Sequence, residues 1–385
     1  MYSLLYLDNS STTKTNKDVI KTINSVMEIY WGNPSSLHEL GILSEKVIKQ
    51  SRKIISDFLQ VTSEEIYFTS GGTESNNIFI KGALEEYKER GKHIITTKIE
   101  HPSVLEVVKF YEKKGWKVSW LNVNEFGRIS LEELENEVSS DTVLVAIMHV
   151  NNETGAIQPV EEAAKIVKQK SRAVFFSDGV QGFLKVPINL KESEIDGYSI
   201  SGHKINGPKG IGALYINKKV RIQPVFLGGG QEKGLRSGTE NVPCIAGLAK
   251  SVQIYKDDYL SFVKDNNIKM REFVEKLIKS VPAVKINSNI GDNGSPYILN
   301  CSLPGIRGET ILHTLEENQI YVSTGSACSG KDKSYSHVLS AMNLDERYLM
   351  GTIRISLALG SWPGEKETLY FIQKLKETWE RLGSG

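Results

Sequence analysis

Cysteine is scarce in this chain, with three residues in 385, at positions 244, 301 and 328. An odd, sparse set without C-x-x-C spacing gives no metal site and no disulfide framework, and fits free thiols in a reducing cytoplasm. An excess of charge of either sign is also missing. The 47 basic and 46 acidic residues leave a formal net charge of +1, so there is no electrostatic case for direct nucleic-acid binding or for a membrane surface. No apolar run approaches the roughly 20 residues that span a bilayer. Met1 to Asp8 carries neither a basic flank nor a long apolar region, which argues against a signal peptide. The chain shows no internal repeat and no low-complexity tract. It also lacks a G-x-x-x-x-G-K-[ST] loop, which disfavours nucleotide hydrolysis.

What remains is an ordinary globular composition, 39% hydrophobic and 24% charged. Its length predicts one large and one smaller domain. Leu40, Leu43, Val47, Ile48, Ile54, Ile55, Phe58 and Leu59 recur at helical spacing. Ser36, after the Gly-Asn-Pro break, reads as a cap for that helix. Strands and helices then alternate: strands at 65–69, 93–97, 116–121, 142–148 and 173–177, with helices at 102–113, 131–138 and 160–168 between them. Alternation of this kind predicts an α/β fold, a mainly parallel sheet flanked by helices. Further strands are expected at 195–200 and 211–216. A long helical stretch runs from about Pro243 to Val281 with a break near Asp257-Asp258. Beyond it lies a smaller α+β unit with strands at 297–302, 320–323 and 352–357 and helices at 309–317 and 365–382. The division predicted is 14–257 for the large domain, with 1–13 and 258–385 forming the small one.

Ligands in such sheets sit beyond the carboxyl ends of the strands. Five polar clusters fall at five strand ends: Gly72-Thr73, Glu100-His101, Asn151 to Gly155, Asp178 with Gln181, and Lys204. Strand, Gly-Gly turn and helix start at 66–77 make a phosphate cradle of outward amides and a favourable dipole. Lys204 lies on a small-residue turn, Ser201-Gly202-His203-Lys204, between two apolar strands. Such a lysine is either a solvated turn residue or an amine tuned to form a Schiff base with a carbonyl such as the aldehyde of pyridoxal 5'-phosphate (PLP). Asp178 is either a helix cap or a carboxylate paired with a pyridinium nitrogen, and Gln181 is placed to reach the ring hydroxyl oxygen. His101 is suited to stack on a flat ring and move protons. The histidines at 38, 93, 149, 313 and 337 receive no role. Arg354, a cation within an apolar strand, is either at an edge or clamps a carboxylate. Cys328 lies among small and basic residues on a loop, a setting that favours thiolate. Cys244 and Cys301 read as packing residues.

Taken together, Tyr6 to Ser10, Gly32 to Ser36, Phe68 to Asn76, Glu100-His101, Met148 to Glu153, Ser201 to Lys204, Arg236 to Thr239, Gly325 to Cys328 and Ile353 to Ser356 resemble, in order, the cysteine desulfurases. These are PLP-dependent transferases of fold type I, in the class V aminotransferase family. The loop around Cys328 is similar to the long-loop group of the NifS and IscS kind, and lacks the His-rich short-loop pattern of the SufS kind. The resemblance implies that Lys204 holds PLP. It implies that Gly72, Thr73, Ser201 and His203 hold its phosphate with Thr239 from the partner of a homodimer. His101 would stack on the ring, and Asp178, Gln181 and Asn152 would bond its polar edge. Arg354, Asn33 and Asn152 would bind L-cysteine. Cys328 would take the sulfur as a persulfide, releasing alanine. The implied acceptors are iron–sulfur scaffold proteins or enzymes that thiolate tRNA or thiamine, with Cys328 alone placed to touch an iron–sulfur cluster in transit. Ser11 stands where many members have Ala, and Cys244 where Gly is usual; neither is expected to carry the chemistry. Lys331-Asp332-Lys333 is a more charged stretch than the family pattern and leaves the acceptor open. Transamination, β-elimination, selenocysteine lysis and a non-catalytic scaffold are the competing readings. Cys328 argues against plain transamination, and Lys204, Asp178, His101 and Cys328 together argue against a scaffold.

Overall fold

The computed structural model describes residues 4–324 and 335–383. In chain order its strands are β1 (Leu5–Tyr6), β2 (Ile66–Thr69), β3 (His93–Thr97), β4 (Lys117–Leu121), β5 (Thr142–Ala146) and β6 (Val174–Asp178). They continue with β7 (Gly197–Ser201), β8 (Gly212–Ile216), β9 (Lys285–Ile286), β10 (Ile298–Ser302), β11 (Ile320–Tyr321) and β12 (Thr352–Ser356). β5 and β6 read TVLVA and VFFSD, and every one of their residues is buried. Strands of that kind need cover on both faces, which places them inside a sheet. They lie centrally in a seven-stranded sheet of order β2-β8-β7-β6-β5-β3-β4.

The pairs β3–β4, β3–β5, β5–β6 and β6–β7 are parallel, whereas β8 runs antiparallel to both β7 and β2. The sheet is therefore mainly parallel, as expected, with one reversed strand. The reversal has a simple cause. The link from Gly202 to Ile211 is shorter than the crossover of about a dozen residues or more that a parallel return needs. Because β2 pairs with the reversed strand, it points the same way as β7. The carboxyl ends of β2, β3, β5, β6 and β7 thus share one edge.

Successive side chains of a strand face opposite sides, and the core divides accordingly. Leu144 and Phe176 belong to one apolar cluster with Phe79, Val104 and Val108. Val145 and Phe175 belong to the other, which continues through Tyr198 into Leu299, Ile353 and Leu375. The helix Gly72–Tyr87 lies so close to the sheet that a Cβ on Gly197 would meet the Phe79 ring at 2.2 Å. Phe79 in turn stacks on Phe176 with centroids 4.7 Å apart.

The stretch after residue 241 resolves into helices Val242–Tyr255 and Tyr259–Ser280, broken where the Asp pair stands. The long helix Glu39–Leu59 is capped by His38, whose ring accepts from Gly41 N, and not by Ser36. Two short helices, His337–Ala341 and Glu346–Leu349, span too few turns to show a period. The carboxyl-terminal part carries an antiparallel sheet of order β12-β10-β9. The start of the chain joins this part: β1 pairs with β11, and Asp8 bridges Ser356.

Candidate active site

A cavity of about 440 Å³ opens at the shared edge, within the usual range for a small-ligand site. Each strand end contributes to its wall: Gly72 and Thr73 after β2, His101 after β3, Asn152 and Glu153 after β5, Asp178 and Gln181 from β6, and Ser201, His203 and Lys204 from β7. Arg354 of β12 and the amino-terminal Ser10 and Ser11 close it.

Thr73 and Gly72 open the helix Gly72–Tyr87, so unpaired backbone amides face the cavity edge. A Cβ on Gly72 would meet Val180 Cγ2 at 2.5 Å, which only a bare backbone avoids. Lys204 follows β7 on a short turn, where its Nζ donates to the backbone oxygens of Ser10 and, at 2.8 Å, Ser11. His203 Nδ1 meets Thr12 Oγ1 at 3.2 Å. Burial, reinforced by Lys204, pulls the His203 ring down to about 4, so it is neutral near pH 7.

Asp178 anchors a continuous hydrogen-bond chain. Its Oδ2 accepts from Asn76 Nδ2 at 2.7 Å, and the same Nδ2 donates to Ser103 Oγ at 2.8 Å. Ser103 Oγ lies 2.8 Å from His101 Nδ1, which also accepts from Ser103 N at 3.1 Å. An Nδ1 that accepts a backbone N–H bears no proton in the neutral ring, so the proton is on Nε2. Burial lowers the His101 pKa, against the pull of Asp178. Asp178 Oδ1 also accepts from Val180 N. No helix follows β6, so Asp178 caps a turn and not the helix expected of it, while the reading as charge partner is compatible with its position.

Arg354 is 3% exposed and lies deep in the wall. Its Nη1 donates to Asn152 O at 2.9 Å; its Nη2 donates to Asp8 Oδ1 at 2.8 Å and Ser11 Oγ at 2.7 Å. Nε has no partner. Ser11, read from the sequence as outside the chemistry, is therefore a direct ligand of this guanidinium. Asn76 Oδ1 and Ser10 Oγ are also buried without partners among the described residues, so these polar atoms of the lining suit a ligand.

Two buried carboxyls back the wall. Glu100 Oε1 accepts from Thr97 Oγ1 at 2.8 Å and Met148 N at 2.9 Å, while Oε2 has no partner among the described residues. Burial pushes its pKa up to about 8. Glu153 Oε2 accepts from Ser336 Oγ at 2.5 Å, and burial raises its pKa too. His337 lines the cavity and its Nε2 lies 3.0 Å from Glu100 O. Glu153 belongs to the Asn151–Gly155 cluster read from the sequence, whereas Asn76, Ser103 and Ser336 received no individual role there and His337 was set aside. Asn76 and Ser103 also carried a local signal, the first one turn past the Gly-Gly helix start and the second directly after the His-Pro start.

Two assigned residues stand elsewhere. Asn33 lies in the turn between the helices Lys17–Ile29 and Glu39–Leu59 and does not line the cavity. Thr239 lines a separate cleft with Ser70, Gly210 and Arg236. Cys328 lies outside the described residues. Cys301 is buried in β10, where burial pushes its thiol up to about 12, and Cys244 is half-buried. No group of acidic, His and Cys residues suited to a metal occurs among the described residues.

Residues 5–363 match the aminotransferase class-V family model. The chain is 42% identical to a protein of Nostoc sp. named cysteine desulfurase, over 99% of this chain and 94% of that protein. It is 41% identical to a cysteine desulfurase IscS of Methanosarcina thermophila, over 92% of this chain and 87% of that protein. A solved structure of a NifS-like protein superimposes with a TM-score of 0.90 at 39% identity, over 98% of this chain and all of that one.

Proposed function

We propose, for a chain that belongs to the aminotransferase class-V family, the removal of sulfur from L-cysteine, with release of L-alanine and retention of the sulfur as a persulfide on Cys328. The enzyme is PLP-dependent, with the fold-type I architecture of its family. The observation that carries the proposal is the convergence of Lys204, Asp178 and Arg354 on one cavity of about 440 Å³.

The donor set fits the cofactor. An amine, a buried carboxylate, a helix start and unpartnered Asn76 Oδ1 and Ser10 Oγ are what an aldehyde, a pyridinium and a phosphate require. When bound, PLP acts as an electron sink for the substrate carbon bearing the amine. In this reading Lys204 anchors the cofactor and carries the proton at that carbon. Gly72, Thr73, Ser201 and His203, with Thr239 of the partner subunit, hold the phosphate. A neutral His203 donates a hydrogen bond there without adding charge. His101 stacks on the ring and offers its Nε2 proton, while Asp178, Gln181 and Asn152 bind the polar edge. Arg354, Asn33 and Asn152 hold the substrate, with the Arg354 guanidinium on the α-carboxylate.

The sulfur step balances without an external oxidant. The Cys328 thiolate attacks the substrate sulfur, the carbon–sulfur bond breaks, and its electron pair takes a proton at carbon. Cysteine and one protein thiol become alanine and one protein persulfide. A homodimer is part of the proposal. Leu37 is 94% exposed and Leu227 85% exposed, and these apolar residues flank Asn33 and the Thr239 segment, as a contact with a second copy requires. The division at 257/258 is also proposed; the helix break there and the pairing of β1 with β11 support it. Among the described residues no helix is long and apolar enough to cross a membrane; we place the enzyme in the cytoplasm, with an iron–sulfur scaffold or a tRNA- or thiamine-thiolation enzyme as acceptor.

The test is Cys328→Ser. The variant keeps the yellow cofactor, trapped on Lys204 by borohydride, and loses production of alanine and sulfide from cysteine. Formation of a protein persulfide by this variant at the normal rate would show that another group is the nucleophile.

A further inference from the structure

Lys185 stands behind the cavity wall and is 1% exposed. A lysine so buried ordinarily faces a carboxylate. This one donates to an uncharged group, Gln181 Oε1, at 3.2 Å. The charges acting on it, Lys204 and Arg354, are of its own sign, and with burial they pull its amine down to about 7. An apolar side chain of the same length would fill the space at less cost.

The contact has a geometric consequence. A glutamine amide has two ends of nearly the same shape, one accepting and one donating. Gln181 Nε2 donates to Ser10 O at 2.9 Å, and that oxygen also receives Lys204 Nζ. Reversal of the amide would set its oxygen against the Ser10 carbonyl and its N–H groups against an amine. Nε2 carries two hydrogens, one on Ser10 O and one left for a ligand, while Lys185 holds the oxygen end from the far side.

We propose that Lys185 is a positioning residue, which holds the Gln181 amide with its N–H edge toward the cavity so that the wall presents a donor to the polar edge of the cofactor. This rests on the assignment of the cavity to PLP.

The experiment titrates the cofactor-free protein with PLP and follows the visible absorption. Lys185→Met weakens binding roughly tenfold, the worth of one hydrogen bond to a charged group, while its urea midpoint stays level or rises. Lys185→Gln, which keeps an N–H donor, stays within about threefold of the parent. In a Gln181→Ala background, Lys185→Met has no further effect on affinity. Parental affinity in Lys185→Met overturns the proposal, as does an equal loss in both backgrounds. Failure of the unsubstituted protein to bind PLP overturns the cavity assignment itself and this proposal with it, so the two failures are distinct.

Discussion

Glu100→Gln converts a buried titration into a stability difference that grows with pH. The Glu100 carboxyl has an ordinary value of 4.5 and stands at about 8 in the fold, because burial penalises its charged form. Between these values the folded state holds a proton that the unfolded state has released. Stability contributed by the protonated acid is therefore fully present below about pH 4.5 and is lost as the pH rises through about 8. The slope is about 1.4 kcal/mol per pH unit. Over the full window the loss is about 5 kcal/mol, and near pH 7 it is already about 3. Glutamine copies the protonated acid: its oxygen still accepts from Thr97 Oγ1 and Met148 N, and its amide replaces the unpartnered Oε2. Urea denaturation of parent and variant at half-unit steps from pH 5 to 9 isolates the term, because every other titrating group is common to both. The variant should gain on the parent by about 1.4 kcal/mol per unit up to about pH 8 and then hold a constant lead. A difference that stays flat from pH 6 to 8 would show Glu100 ionised in the fold, and the argument from burial would fail.

Two substitutions test the wiring of the cavity. Ser103→Ala cuts the chain from Asp178 through Asn76 to His101; kcat should fall about tenfold with KM unchanged, the loss of one hydrogen bond acting on a neutral ring. A rise in KM at constant kcat would show that Ser103 serves binding instead. Ser11→Ala removes the 2.7 Å bond to Arg354 and should raise KM for cysteine several-fold, up to about tenfold, at constant kcat. An unchanged KM would mean that Asp8 and Asn152 O fix the guanidinium without it.

The order of elements was legible because its signals are local. Apolar runs such as 142–146 and 174–178, and the Gly-rich and Pro-flanked turns after them, mark strands and helix starts within a few residues. The wall residues Gly72, Thr73, His101, Asp178, Gln181 and Lys204 were found because strand ends of one parallel sheet must share an edge. What escaped lies in contacts that no local pattern records. Ser11 meets Arg354 across 343 residues of chain, so its place beside the guanidinium has no trace at position 11. His337 follows the cavity wall from a helix of five residues, too short for a period. The cap on Glu39–Leu59 fell to His38 because the imidazole nitrogen, an acceptor like a serine oxygen, sits at the helix boundary itself. Asn33 and Thr239 stand outside the cavity of their own chain; only Thr239 was assigned across a second copy.

The segment from Asp8 to Ser11 holds both cations of the cavity, Lys204 by its carbonyls and Arg354 by its side chains. On a ribosome this segment is made well before its partners, which lie 194 and 346 residues further along the chain. Lys204 emerges well before Arg354, which follows Asp8 by 346 residues. Until residue 321 is made, β1 lacks its pairing strand at Ile320–Tyr321. Such late, long-range closure is slow, because the loop entropy must be met before any contact rewards it. A nascent chain stalled before residue 354 still has the Ser10 and Ser11 carbonyls that receive Lys204, but leaves Asp8 and the Ser11 hydroxyl without the guanidinium they bind.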